Sequence, residues 1–359
     1  MGCVWGAAVP KVPNVASFSG GVAAARTLAA RWFPAEADVT PLATGGFSGS
    51  PVFLVRPCGG RPHVLKAFAP ETGLERAHWI HALADHLQFA GVHEVPAVLP
   101  QASGETVVAT SDGRLWEMVA FVAGTPTADP GPAQIAAAMR SLARIHAATA
   151  TLPASPPAQS ASRGLVDRIA RARALLATPW QDMLSQPPAL ASELASALEE
   201  RLASAVALFA AGDGAQMLLA LARIEPSPLL CQVVLRDVWS EHILFADPDR
   251  VVGVIDLHAA GIDTPATDLA RLLGSWLPPH ALVGPEWWAG GIAAYQTLRP
   301  LTAREVSLVP LLAASGVVFG LDNWFRWVLG EARSFAAPGR VVSRVDRLLA
   351  TLPAALATL

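Results

Sequence analysis

Gln232-Val-Val-Leu-Arg-Asp237-Val-Trp-Ser-Glu-His242-Ile-Leu-Phe245, then Ala-Asp-Pro-Asp-Arg250, then Val251-Val-Gly-Val-Ile-Asp256-Leu-His258, is the stretch on which the fold turns. Val233–Leu235 is a short apolar run that reads as a buried strand. Ile243–Phe245 and Val251–Ile255 are two more, separated by Asp and Pro residues that favour a turn, so they read as a hairpin. Each of Asp237 and Asp256 follows an apolar run, and the hairpin folds Asp256 back beside His242. One carboxylate to orient a hydroxyl, with two polar groups beside it to hold a divalent metal on ATP phosphates, is what phosphoryl transfer requires. An Asp after a strand also serves as a turn residue or a helix cap, so either residue alone says little.

Outward from this core, Asp263-Thr-Pro-Ala-Thr-Asp268-Leu-Ala-Arg271 opens a helix, and Asp268 reads as its N-cap and a brace for the preceding loop. Upstream, Leu42–Val55 places Gly45, Gly46, Ser48 and Gly49 between β-like runs. Such a loop lets backbone N–H groups approach phosphate oxygens. No Gly-Lys-Ser/Thr follows, so it is not a Walker loop. Lys66 lies in the next β-like run, His63–Phe68, and Lys11 is the only other lysine in the chain. A lysine kept in a chain that otherwise uses arginine points to a need for its compact charge and reach.

The combination of Leu235-Arg236-Asp237-x-x-x-x-His242, Ile255-Asp256-Leu257 and Asp263…Asp268-Leu-Ala resembles the phosphotransferase enzyme family, the aminoglycoside phosphotransferase and choline kinase relatives. The resemblance covers roughly residues 24 to 349. It implies an α+β, protein-kinase-like two-lobed fold: a small N-lobe with an antiparallel sheet and a larger, mainly helical C-lobe. The corresponding division is a loose leader over 1–22, an N-lobe over 23–123 and a C-lobe with the acceptor site over 124–359. The implied activity is ATP-dependent transfer of the γ-phosphoryl group to a hydroxyl of a small molecule. Asp237 is the implied catalytic base, Asp256 and His242 the metal residues, and Lys66 the grip on the α- and β-phosphates. The implied cofactors are ATP and a divalent metal, magnesium or manganese. Ala120, Phe121 and Val122, in the strand leading to Gly124 and Pro126, are the implied adenine-edge residues.

The pattern departs from the family in three places. His242 stands where the family has a metal-binding Asn. Magnesium prefers oxygen ligands, whereas imidazole suits zinc, copper, iron or nickel. Leu235 replaces the family's catalytic-loop His, and Arg236-Asp237 resembles the protein-kinase pair instead. The helix expected over Leu74–Phe89 has only Glu75, at its start, as a glutamate partner for Lys66, with Asp85 as an alternative. These departures keep two other readings open: a catalytically inactive, pseudokinase-like nucleotide-binding scaffold, and a kinase-fold nucleotidyltransferase acting on protein.

The 359 residues suffice for a large core. A net charge of −3 with no long basic run argues against nucleic acid as a partner. The uncharged segment Val306–Leu321 is short and interrupted by Pro310 and Gly316, so it reads as a buried helix and no membrane association is expected. Cys3, Cys58 and Cys231 are scattered, without disulfide or zinc spacing, which fits a cytoplasmic protein. Ile135, Met139, Leu142 and Ile145 recur at helical spacing, and His146 at the end of that run reads as a structural histidine. Leu165–Ala177 and Ser192–Ala211 read as further helices and Thr151–Ser162 as a loop. Trp276, Trp287, Trp288, Trp324 and Trp327 read as core.

Overall fold

The computed structural model describes residues 21–42, 50–153, 157–247, 249–279, 285–335 and 337–357. The expected leader before Gly21 and the loop residues Gly45, Gly46, Ser48 and Gly49 lie outside them. In chain order the elements are α1 (Gly21–Ala29), β1 (Ala37–Pro41), β2 (Val52–Pro57), β3 (His63–Ala67), α2 (Leu74–Phe89), β4 (Val107–Ala109), β5 (Leu115–Ala120), α3 (Pro132–Thr149), β6 (Ala158–Ser160), α4 (Arg163–Ala177), α5 (Trp180–Leu184), α6 (Glu193–Ala211), α7 (Gly214–Ala222), β7 (Leu229–Val234), β8 (Ile243–Asp247), β9 (Arg250–Val254), β10 (Gly261–Asp263), α8 (Pro265–Ser275), α9 (Pro285–Gln296), α10 (Ala303–Phe325) and α11 (Pro338–Leu356).

The first five strands form one antiparallel sheet in the order β1-β2-β3-β5-β4. Alternation along the strands splits its side chains between two faces. Leu65 and Ala67 of β3 and Trp116 and Met118 of β5 are buried with α1 residues Ala25 and Leu28 in a small core. Lys66 and Glu117, directly opposite in the β3–β5 ladder, point to the other face. That face is covered by α2, whose Ala77, Ile80, Leu83 and Leu87 belong to the same hydrophobic cluster as the C-terminal helices. The small lobe is therefore seated on the large one largely through α2, with Val107 of β4 and Leu115 of β5 in the same cluster.

The C-terminal lobe is helical, with two small β elements set into it: the hairpin β8–β9 and the three-stranded sheet β10-β7-β6. β6 lies inside Thr151–Ser162, which the sequence suggested was loop throughout. α10 is the long apolar helix expected over Val306–Leu321, starting at a capping box formed by Thr302 and Glu305. Ala303–Gly330 is long and apolar enough to cross a membrane, yet 67% of its most apolar window is buried inside the protein, as a core helix would be. Trp276, Trp288 and Trp324 are buried, as expected of core tryptophans.

A candidate nucleotide and phosphoryl-transfer site

The segment after β7 is held in place from below. Arg236 adopts φ 64°, a left-handed conformation disfavoured for a side-chain-bearing residue. Asp268 stabilises it by accepting the backbone N–H of Leu235 (2.6 Å) and of Arg236 (2.8 Å). Asp268 is itself fully buried and also accepts from His146 Nε2 at 3.0 Å. It is not the N-cap of α8; Thr264 holds that position, and Asp268 sits inside the first turn, facing back to the loop. The expected brace is present, while the expected cap is not. His146 is the satisfied structural histidine that the sequence suggested, with the Tyr295 hydroxyl 2.8 Å from its Nδ1.

Asp237 emerges from this loop with its side chain 44% exposed. Its Oδ1 accepts from Trp239 Nε1 at 2.6 Å and from Arg271 Nη1 at 3.0 Å. Two guanidinium groups lie over the Trp239 ring, Arg271 at 4.7 Å and Arg344 at 4.6 Å from its centroid. Burial pushes the Arg344 guanidinium below its ordinary value, while Glu241 and Asp237 pull the other way.

His242 ends a single turn of 3₁₀ helix, Ser240–His242, just before β8. Its Nδ1 lies 2.8 Å from the Asp237 carbonyl oxygen. A carbonyl only accepts, so Nδ1 carries the hydrogen and Nε2 of the neutral ring keeps its lone pair. The hairpin returns the chain as expected: Ile255 N–H donates to the His242 carbonyl at 3.0 Å, one residue before Asp256.

Asp256 also has a left-handed backbone, φ 69°. Its Oδ1 accepts from Lys66 Nζ at 2.8 Å. Burial alone would raise its pKa, but the Lys66 charge first, then His258 and the Lys66 hydrogen bond, outweigh this and lower it to about 2. Asp256 is thus an ionised oxygen donor at neutral pH. Among the described residues no group of three or more His, Cys, Asp and Glu is assembled to hold a metal. One carboxylate and one imidazole lone pair, with the remaining positions left to phosphate oxygens and water, is a donor set that fits a nucleotide-borne divalent ion.

At the lobe junction the Ala120 N–H donates to Ala97 O (2.9 Å) and the Phe121 N–H to Pro62 O (3.2 Å). Their N–H groups are therefore engaged, and Val122 is the one of the three whose N–H has no acceptor among the described residues. Close packing explains the glycine that follows. A Cβ on Gly124 would lie 2.8 Å from Val252 Cγ2 and 3.0 Å from Leu244 Cβ, so only glycine lets the linker run against the hairpin.

Neither Glu75 nor Asp85 pairs with Lys66; both are exposed on α2. The carboxylate nearest Lys66 in the ladder is Glu117, on β5. It is buried and accepts from His81 Nε2 at 2.8 Å and His258 Nε2 at 2.7 Å. The sequence reading passed over Glu117 and His258. A single acid inside the apolar run Leu-Trp-Glu-Met-Val, and a histidine two residues after Asp256, were the available signals.

With this geometry in view, the comparisons with known proteins agree. Residues 38–303 match the phosphotransferase enzyme family, and the chain belongs to that family. It is 28% identical over 291 residues to a homoserine kinase of Methylobacterium nodulans, spanning 80% of this chain and 78% of that one. A homoserine kinase of Methylobacterium sp. strain 4-46 is 30% identical over 273 residues, 74% of this chain and 72% of that one. Among solved structures, a spectinomycin phosphotransferase in complex with ADP and spectinomycin superposes with a TM-score of 0.64, at 10% identity, over 92% of this chain and 98% of the other. An amicoumacin kinase in complex with AMP-PNP and calcium gives a TM-score of 0.58 at 14% identity over 90% and 91%. The protein is an ATP-dependent phosphotransferase that acts on a hydroxyl of a small molecule. The kinase-like two-lobed fold read from the motifs is the one observed.

Proposed function

We propose that the protein phosphorylates the side-chain hydroxyl of a small amino acid of the homoserine type. The observation that carries this reading is the pair of arginines near Asp237: Arg271 bonded to Asp237, and Arg271 and Arg344 both over the Trp239 ring. Guanidinium groups match a carboxylate bidentately and hold it at fixed distance. A compact acceptor whose carboxylate meets these arginines would present its hydroxyl to Asp237. The relatives named homoserine kinase support the same acceptor class, since homoserine carries a carboxylate, an ammonium and a primary hydroxyl.

In this reading Asp237 accepts the acceptor's hydroxyl proton as the oxygen attacks the γ-phosphorus. The bond from that phosphorus to the bridging oxygen breaks, and ADP leaves. Lys66 orients the α- and β-phosphates, and the loop with Gly45, Gly46, Ser48 and Gly49 covers them. Ala120, Phe121 and Val122 flank the adenine, with the Val122 N–H as the available donor. Asp256 and the His242 Nε2 would hold the metal, taken to be magnesium, which would supply positive charge to offset that on the phosphates. The cytoplasm is the compartment that supplies ATP and such an acceptor.

The test is ADP release with magnesium and ATP across L-homoserine, L-serine, L-threonine, 1-amino-2-propanol and spectinomycin, with the product identified by phosphorus NMR. A kcat/KM for a carboxylate-bearing acceptor at least about 10²-fold above that for the amino alcohol supports the reading, two paired hydrogen bonds being of that worth. A preference for the amino alcohol or for spectinomycin rejects it. No turnover with any of the panel also rejects this acceptor class.

A further inference from the structure

Glu117 is 5% exposed in the middle of an apolar strand. A buried carboxylate is costly unless its oxygens are paired, and here both are. Oε2 accepts from His81 Nε2 at 2.8 Å, and Oε1 from His258 Nε2 at 2.7 Å. The ionised Glu117 only accepts, so His81 Nε2 carries the hydrogen between them, and the His81 Nδ1 lies 2.7 Å from the Thr106 hydroxyl on the far side of the ring. Phe68 closes the arrangement, stacked on His258 with centroids 4.4 Å apart and tilted against His81 at 5.7 Å.

The three partners come from different parts of the cleft. His81 belongs to α2 and Glu117 to β5, opposite Lys66 in the ladder. His258 follows β9, two residues after Asp256, and its Nδ1 is 3.9 Å from Asp256 Oδ1. Arg76 of α2 reinforces the junction by donating to the carbonyls of His258 and Ala260. One buried acid therefore ties the strand face bearing Lys66 to the segment bearing Asp256. Lys66 is also among the positive charges that keep Glu117 ionised despite its burial.

We propose that Glu117, clasped by His81 and His258, is a positioning residue of the nucleotide site: it sits behind Lys66 as its counter-charge and sets Asp256 through His258. It performs from β5 the orienting task for which α2 offers only exposed acids. When phosphates draw the Lys66 ammonium away from Asp256, Glu117 remains as the fixed negative charge on the same sheet face. A network built only for stability would gain from apolar replacement, because desolvating a carboxylate often costs more than its pairing returns. Its placement between the two phosphate-handling side chains gives it a use there.

This inference rests on the assignment of Lys66 and Asp256 to the nucleotide site. Its test is the dissociation constant for magnesium-ATP by calorimetry, with steady-state kinetics, on wild type, Glu117→Gln, Lys66→Met and the double variant. Thermal melting without nucleotide records the structural effect separately. The expected result is about tenfold weaker ATP binding in Glu117→Gln, the scale of outer-shell substitutions, with the acceptor KM unchanged. The double variant is then no weaker than Lys66→Met alone. A lower melting temperature with unchanged ATP affinity and kcat overturns the proposal, as do additive effects in the double variant. Wild-type ATP affinity in Lys66→Met overturns instead the site assignment beneath it. Should Glu117→Gln not fold, His81→Phe removes one donor while keeping a ring against Phe68, and the same two readouts decide.

Discussion

Lys66 Nζ and Asp256 Oδ1, 190 residues apart in the chain, are joined by a 2.8 Å ion pair across the cleft. The lysine is 17% exposed and the aspartate 36%, so the pair is open to an entering phosphate. In the function proposed, nucleotide binding would exchange this contact for lysine on phosphate and aspartate on metal. The lysine's grip depends on a compact ammonium on a long stem, so Lys66→Arg should not restore function. Lys66→Arg and Asp256→Asn are each expected to lower kcat/KM for ATP on the order of 10²- to 10³-fold, the worth of one preorganised electrostatic contact. Steady-state kinetics at saturating acceptor measure this, and a Lys66→Arg variant within a few-fold of wild type would show that the ion pair is only structural.

The base role proposed for Asp237 separates proton transfer from nucleotide binding. It touches Arg271 and Trp239 but neither Lys66 nor Asp256. Asp237→Ala should therefore cut kcat by about 10²- to 10⁴-fold, the range for a general base, while magnesium-ATP affinity changes little. Parallel calorimetry and turnover assays give both numbers. Equal losses in the two would mean that the carboxylate acts on the nucleotide rather than on the acceptor.

The fold was legible because its motifs mark strand ends. Asp237 and Asp256 follow apolar runs, and Lys66 lies in one; alternation and turn residues place such runs well. α2 was read to its observed limits, Leu74–Phe89, and the hairpin brought Asp256 to His242 as the turn at Asp247–Asp249 implied. Glu117, the buried acid proposed as a counter-charge to Lys66, was not legible. The reading looked along α2, whereas the acid stands on β5 and reaches the cleft only through the pairing of β3 with β5, a contact between residues 51 apart in sequence. The role of Asp268 was half legible for the same reason. An Asp before an apolar helix looks like a cap locally, and only the tertiary approach of the Asp237 loop shows that it caps another segment's N–H groups.

His242 is the family departure with the most direct test. Its Nδ1–H is committed to the Asp237 carbonyl, which leaves Nε2 free for the metal role proposed for it. A nitrogen ligand favours manganese over magnesium relative to an amide oxygen. His242→Asn should shift the ratio of magnesium- to manganese-supported kcat/KM toward magnesium by about tenfold, the lower end for a change in metal-site ligation. Titrating each metal at fixed ATP measures the ratio. An unchanged ratio would remove His242 from the metal site.

Asp268 carries three hydrogen bonds, from His146 and from the N–H groups of Leu235 and Arg236, the first two fully buried. Asp268→Ala leaves all three donors without this partner and frees the left-handed Arg236 to relax. The expected cost is about 3–5 kcal/mol of stability, as for removing one member of a buried charged pair. Loss of turnover should accompany it, because Asp237 follows in the same loop. Urea unfolding read by tryptophan fluorescence supplies the stability change. A shift under about 1 kcal/mol, a single neutral hydrogen bond's worth, would contradict the brace.

His146 sets the response to mild acid. Burial lowers its pKa from the ordinary 6.5, and the charge of Arg299 adds to this, against the raising effects of Asp268 and Glu305. The folded protein therefore keeps the ring neutral, with Nε2–H on Asp268 and the Tyr295 hydroxyl donating to Nδ1. As pH falls below 6.5, the unfolded chain takes up a proton at this position that the folded chain does not, so acid favours unfolding. The contribution is complete above pH 6.5 and declines toward pH 5 by up to about 1.4 kcal/mol per pH unit, the limit for one proton. His146→Gln keeps an N–H donor for Asp268 and removes the titration. Its stability at pH 7 should be lower than wild type, and its loss between pH 6.5 and 5 should be shallower by up to one proton. Urea midpoints across that range measure the slope, and parallel curves for the two proteins would show that His146 does not set it.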